Sequence, residues 1–328
     1  MMRIIKETNI NFIGSRKYSF MFSGLLFALG VTAFLMIIMG RASLGIDFTG
    51  GAEIIGSFEN PVSVNDVRSA LSEVGYGKAK IQSIEGEGFE NSFMIRVQGS
   101  IENAIPETTY TEDGNIVINM VAAEGDQLGD LLKQAIAGKF KDNKFILDST
   151  NNISAKVGEK LTGDAIKAII FALLGILVYI WIRFDFRFGV AATIATFHDV
   201  LAVLGIYFLL NREVSLLVIT ALLTLAGYSL TDTVVVFDRI RENLKQFRKR
   251  TDYPSTINMS VNEVLSRTII TSITTLTVVL TLLVFGGEVL FDFALALALG
   301  ILVGTYSSVF VASPILVEWE KRAPKRVK

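Results

Sequence analysis

The chain has 328 residues, of which 51% are hydrophobic and only 19% charged, with a mean hydropathy of +0.50. An ordinary soluble domain carries about 25% charged residues, so this composition excludes disorder, a collagen-like fibre and a small disulfide scaffold, and predicts a membrane protein with a minority soluble part. Having no cysteine excludes thiolate metal sites, Fe–S clusters and cysteine nucleophiles, a single histidine (His198) excludes a multi-His metal centre, and the net charge of −1 hides an uneven distribution.

A bilayer core about 30 Å thick needs about 20 apolar residues as helix. Six runs qualify: 18–40, 164–182, 188–210, 214–237, 264–285 and 289–317. The first is longer than the 7–15 residue core of a signal peptide and has no small-x-small site after it, so it reads as an uncleaved span. Between the first two runs, residues 41–160 carry 18 acidic and 11 basic side chains, a net −7, whereas the remainder is +6. This divides the chain into an N-terminus and first span (1–40), a soluble domain (41–160), five further spans (161–317) and a basic tail (318–328).

Within the soluble domain, residues 52–58 read as a strand. Residues 63–74 place Val64, Val67, Leu71 and Val74 on one helical face, and 79–84 and 92–97 alternate as strands. Residues 127–140 return to helical spacing, and 144–148 form a last strand. The order βαββαβ predicts a ferredoxin-like α+β domain, with 102–123 left over and 116–121 as a possible extra strand. Lysine and arginine fix the orientation. Arg3, Lys6, Arg16 and Lys17 precede span one, and Arg183 and Arg187 lie between spans two and three. Arg239, Arg241, Lys245, Arg248, Lys249 and Arg250 lie between spans four and five, and Lys321, Arg322, Lys325, Arg326 and Lys328 end the chain. The opposite loops are nearly bare, so both termini are expected in the cytoplasm and the acidic domain outside. The basic inner face suits anionic lipid, and nothing in it calls for nucleic acid.

A charge at mid-membrane costs about 2.5 to 3.5 kcal/mol on insertion scales, which singles out Asp199, Asp232 and Arg267, with His198 beside them. Asp232 lies six residues before Asp238, about 9 Å into the membrane, and Arg267 four residues past Glu263, about 6 Å in. Similar depth on consecutive antiparallel helices suggests a pair, acting either as a proton-responsive couple or as a static lock. Arg267 alone could also snorkel to the headgroups. Thr271 and Thr274 share the Arg267 face, as proton-path hydroxyls or as plain helix hydrogen bonds. His198 and Asp199 read equally as a proton-transfer element or a polar packing contact; neighbours point about 100° apart, so both cannot face one partner. In span six Ala296, Gly300, Gly304, Ser308 and Ala312 recur every four residues, a small-xxx-small packing stripe. Phosphate-loop, HExxH and GxSxG motifs are absent, and no enzyme or cofactor is expected.

Gly45-Ile-Asp-Phe-Thr-Gly-Gly51, Phe197-His-Asp-Val200, the stretch from Gly227 to Glu242 that closes span four, and Leu265-Ser-Arg-Thr-Ile-Ile-Thr-Ser272 resemble the SecF side of the SecD/SecF family, membrane subunits of the bacterial Sec protein-export machinery. The resemblance covers the membrane core, the order of elements and the length. One departure is Thr231, where the family usually has Asn before the membrane Asp. The resemblance implies half of an RND-type architecture in the bacterial inner membrane. Implied partners are SecD, the SecYEG channel, SecA indirectly, and an unfolded exported polypeptide. The implied role is use of the proton motive force, with protons as coupling ion, in late translocation. It also implies that Asp232 and Arg267 are the charged pair of the proton route, and that Gly45, Asp47, Gly50 and Gly51 form the junction beneath the outer domain. Other classes considered are an RND-type small-molecule/proton antiporter, a passive scaffold for the channel, and an intramembrane aspartyl protease using Asp199 and Asp232. The last lacks the Gly-x-Gly-Asp pattern, since Ser229-Leu230-Thr231 precede Asp232.

Overall fold

The computed structural model describes residues 8–73, 75–84, 91–98, 104–110, 116–122, 125–247 and 252–323. Val74, parts of the 102–123 stretch and several orienting cations (Arg3, Lys6, Arg248, Lys249, Arg250, Lys325, Arg326, Lys328) lie outside them. The chain divides into two compact units, Met1–Ser43 with Ala168–Lys328, and Leu44–Lys167.

The second unit opens with a single helical turn, α2 (Ile46–Thr49), and then runs β1 (Gly51–Phe58), α3 (Val64–Glu73), β2 (Lys80–Ile84) and β3 (Ser92–Gln98). A hairpin of β4 (Ala104–Tyr110) and β5 (Ile116–Ala122) follows, then α4 (Gly125–Lys139) and β6 (Phe145–Ile153). The sheet order is β2-β3-β1-β6 with antiparallel neighbours, while β4 and β5 pair with each other. Alternation puts Ala52, Ile54 and Phe58 of β1 inward, and Phe58 meets the rings of Phe93, Phe140 and Phe145 at 5.7, 5.0 and 4.9 Å. The final strand runs five residues beyond the expected 144–148. Its polar run Asp148–Asn152 has no apolar alternation to betray it, yet it stays paired with β1 as far as Ile153 against Gly51.

The other unit contains most of the six helices long and apolar enough to cross a membrane: α1 (Arg16–Ile38), α5 (Ala155–Arg183), α6 (Phe186–Leu209), α7 (Leu216–Gln246), α8 (Tyr253–Phe285) and the composite Val289–Arg322. The composite comprises α9 (Gly287–Ser307), a π-helical turn (Ser308–Ala312) and α10 (Ser313–Arg322). Pro314 explains the wide turn: it has no N–H to give and its ring crowds the carbonyl one turn back, so the helix loosens there. Helices α6 and α7 are central, whereas α1, α5 and α8 turn broad apolar faces outward, including Leu25, Phe171, Leu174 and Val284.

Helix α1 buries its small residues Ser19, Ser23, Gly30 and Ala33, with Ser19 and Ser23 against Tyr306 and Gly30 against α6. A Cβ on Gly30 would lie 2.1 Å from the Leu201 carbonyl oxygen, and one on Gly205 2.7 Å from Gly30 N. The stripe on α9 packs within the chain, Gly300 against Leu225 and Gly304 against Ser229 of α7. Helices α7 and α8 outrun their apolar stretches because polar contacts continue the pairing: Arg239 to Glu263 at 2.6 Å, and Asn243 to Ser260 and Glu263 at 3.0 and 2.6 Å.

Candidate functional site

The close approach of α9 to α7 places a row of hydroxyls against the two membrane carboxylates. Asp199 of α6 is fully buried. One oxygen lies 2.9 Å from His198 Nδ1, and the other accepts a hydrogen bond from Ser229 of α7. Asp232, one turn further along α7, accepts from Ser308 Oγ at 3.0 Å. Ser308 Oγ also reaches the Thr305 carbonyl at 3.1 Å, so its hydroxyl has two acceptors to choose from. Ser313 Oγ in turn donates to the Ser308 carbonyl at 3.0 Å across the π turn.

Around them lies unused hydrogen-bonding capacity. Thr268 Oγ1 stands beside Asp232 and Ser307 Oγ beside Asp199. Thr196 Oγ1, Thr233 Oγ1 and His198 Nε2 are buried without a hydrogen-bond partner. Buried orphan polar atoms are uncommon in proteins, and these belong to α6 and α7, the helices that carry the two carboxylates. A carboxyl group that faces hydroxyls rather than a fixed cation can take up a proton without an ion pair having to break.

Arg267 is elsewhere. It is exposed on α8 and forms no ion pair among the described residues. The expected Asp232–Arg267 contact is therefore absent, for a geometric reason: Thr268 is the residue facing α7, and its neighbour points about 100° away. Thr271 and Thr274 share that outward side, and their hydroxyls bond back to the carbonyls of Arg267, Thr268, Ile270 and Thr271. Another inward hydroxyl of this helix is Ser272, 2.7 Å from Thr305 Oγ1. His198 and Asp199 are both buried and touch each other. Thr231 is exposed and bonds to the Gly227 carbonyl at 2.9 Å, away from the carboxylates.

Sequence reading overlooked Ser229, Ser307 and Asp292. Asp292 binds Arg212 at 2.5 Å, and its carbonyl accepts from Tyr207. Ser308 belongs to the small-residue stripe and carries the hydroxyl that meets Asp232. The helical spacing of Leu225, Ser229 and Asp232 against Gly300, Gly304 and Ser308 is the signal that would have found the site.

The glycine motif lies in the other unit. Gly50 and Gly51 have φ of +72° and +141°, values that favour glycine. A Cβ on Gly50 would meet the Ala155 backbone at 3.0 Å, and one on Gly158 would meet Gly50 N at 3.0 Å. These glycines secure close packing of the turn on the start of α5.

Residues 133–322 match the protein family described as "Protein export membrane protein SecD/SecF, C-terminal". The chain belongs to the SecD/SecF family. It is 44% identical to the protein translocase subunit SecF of Thermodesulfovibrio yellowstonii over 97% of both chains. It is 38% identical to that of Endomicrobium trichonymphae over the whole chain and 96% of the relative. The crystal structure of SecDF from Thermus thermophilus, described as a translocon-associated membrane protein, is similar with a TM-score of 0.77 and 36% identity. That match covers 96% of this chain and 39% of the SecDF chain, so this SecD/SecF member spans about two fifths of SecDF. The membrane fold with six spans and a small antiparallel sheet domain is thus that of the family.

Proposed function

We propose that this SecF-like chain works with SecD beside the SecYEG channel, drawing on the proton motive force to help move exported polypeptides outward after SecA has inserted them. Both termini lie in the cytoplasm and the acidic sheet domain outside. The observation carrying this reading is the Asp199–Ser229 and Asp232–Ser308 network, two buried carboxylates held by hydroxyls rather than by fixed cations.

Magnitudes fit. A proton crossing 100 mV releases about 2.3 kcal/mol, and a pH unit adds about 1.4 kcal/mol. Swinging a two-state equilibrium from 1:99 to 99:1 needs about 5.5 kcal/mol, so two protons suffice. The step itself is a change of hydrogen-bond direction. Ionised Asp232 only accepts; protonated Asp232 donates to Ser308 Oγ, whose own proton then goes wholly to the Thr305 carbonyl. Since Ser308 begins the π turn, the winding of the helix is tied to the carboxyl's state. Arg267, turned out of this bundle, supplies its charge towards the SecD half.

In inverted membrane vesicles carrying the complete export machinery, Asp232→Asn should abolish the proton-gradient-stimulated part of translocation while SecD co-purifies undiminished. Normal stimulation in that variant would falsify the reading and leave a passive scaffold.

A further inference from the structure

We infer that the cleft between the end of α5 and the last turns of α7 is a phosphate-binding site, built to hold the phosphate of an anionic lipid headgroup or of a soluble phosphate compound. The cleft has a volume of about 610 Å³ and is lined by Arg183, Asp238, Arg241, Glu242, Lys245 and Gln246. The α7 members fall at i, i+3, i+4, i+7 and i+8, one continuous helix face.

Its cations are held in place before any ligand arrives. Arg183 binds Asp238 and lies 5.3 Å from the centre of the Phe184 ring. Arg241 lies 5.6 Å from the same ring, and its Nη1 donates to the Arg183 carbonyl at 3.3 Å. Phe184 is itself buried and packed edge-on against Phe237 at 5.9 Å. Two guanidinium groups are therefore fixed around one immobile ring, the planar fork geometry that suits phosphate oxygens.

The charge balance leaves a vacancy for an anion. Asp238 is engaged by Arg183, and Arg241 stands 3.9 Å from it. Glu242 is taken by Arg239 from outside the cleft at 2.7 Å. Lys245 has no ion pair among the described residues. Arg183 and Arg241 thus share the single carboxylate Asp238, and Lys245, four residues beyond Arg241 on the same helix face, is left without an ion pair among the described residues. Next to Arg183, Trp181, Ile182 and Phe186 are 72%, 83% and 70% exposed. An aromatic and aliphatic rim beside a cationic cleft matches the boundary between acyl chains and headgroups.

The test uses the full chain in nanodiscs of phosphatidylcholine with and without phosphatidylglycerol, with bound lipid counted by native mass spectrometry. Phosphatidylglycerol should be retained in preference to phosphatidylcholine. Arg241→Gln with Lys245→Gln should weaken that retention about tenfold or more, and Glu242→Gln should strengthen it. Opposite signs from two changes on one helix face are not what loss of folding would produce. Inorganic phosphate titrated into the detergent-solubilised chain separates the sources. Arg241-dependent binding of phosphate alone assigns the site to soluble phosphate, and binding of phosphatidylglycerol only assigns it to the lipid headgroup. Equal retention of the two lipids, or unchanged retention in the double variant, overturns the inference.

Discussion

At the scale of single residues, chemistry was easier to read than direction. Asp199, Asp232 and Arg267 are conspicuous because charge in an apolar helix is costly, but one residue of offset on a helix decides what each one meets. Thr268 faces Asp232 and Arg267 does not, and no composition or depth rule distinguishes neighbours 100° apart. Asp252 shows the opposite case, a residue whose role follows from local chemistry alone. It caps α8, accepting from the Ser255 amide at 3.2 Å, and the Ser255 hydroxyl and amide hold its carboxyl below the usual carboxylate range. A depressed value means that the cap's contribution is present above the unfolded-state value and lost as pH falls through the folded one. Amide protection at the start of α8 should therefore decline below about pH 4. Asp252→Ala should remove that pH dependence and lower stability by about 1 kcal/mol. Hydrogen exchange across an acid series checks both, and a variant with the wild-type acid profile would exclude the cap as its source.

Elements were legible where their pattern was strong and blurred where pairing alone extends them. All six spans announce themselves by hydropathy. Their ends do not, because α7 and α8 continue as polar helices held by Arg239, Asn243 and Glu263. The same holds for β6, whose polar end is a strand only because β1 supplies hydrogen bonds. The α9 stripe was visible at four-residue spacing, whereas the α1–α6 crossing was not, since Ser19, Ser23, Gly30 and Ala33 mix two spacings. That crossing gives a sharp prediction. Gly30→Val sets side-chain atoms against backbone that cannot retreat, beyond the usual overpacking cost of about 1 to 3 kcal/mol. Thermal unfolding in detergent should fall clearly, while Gly24→Val, on the same helix with open space around it, should be near neutral. Equal effects at the two positions would mean that α1 and α6 do not touch there.

For the whole molecule, charge is partitioned between residues 41–160 and the rest, and the two compact units, Leu44–Lys167 and the remainder, have separate hydrophobic cores. The inserted β4–β5 hairpin was only half legible because 116–121 alternates and its partner Ala104–Tyr110 does not stand out. Separate cores should unfold separately. Phe58 is buried among three rings, so Phe58→Ala should cost the sheet unit about 3 to 5 kcal/mol. Hydrogen exchange on the full chain should show β1 and β3 losing protection while α6 and α7 keep theirs. Matching losses in both sets of amides would mean one cooperative structure.

The widened turn at Ser308–Ala312 contains a surplus residue relative to regular winding. Such a defect resembles a dislocation in a crystal: taking the surplus residue up into regular winding would rotate everything beyond it by about 100°. The far side includes Glu318 and Glu320, which clasp Arg16 and Arg187. Whatever grips Ser308 thereby also sets the angle at which the last stretch of the chain meets its clasps.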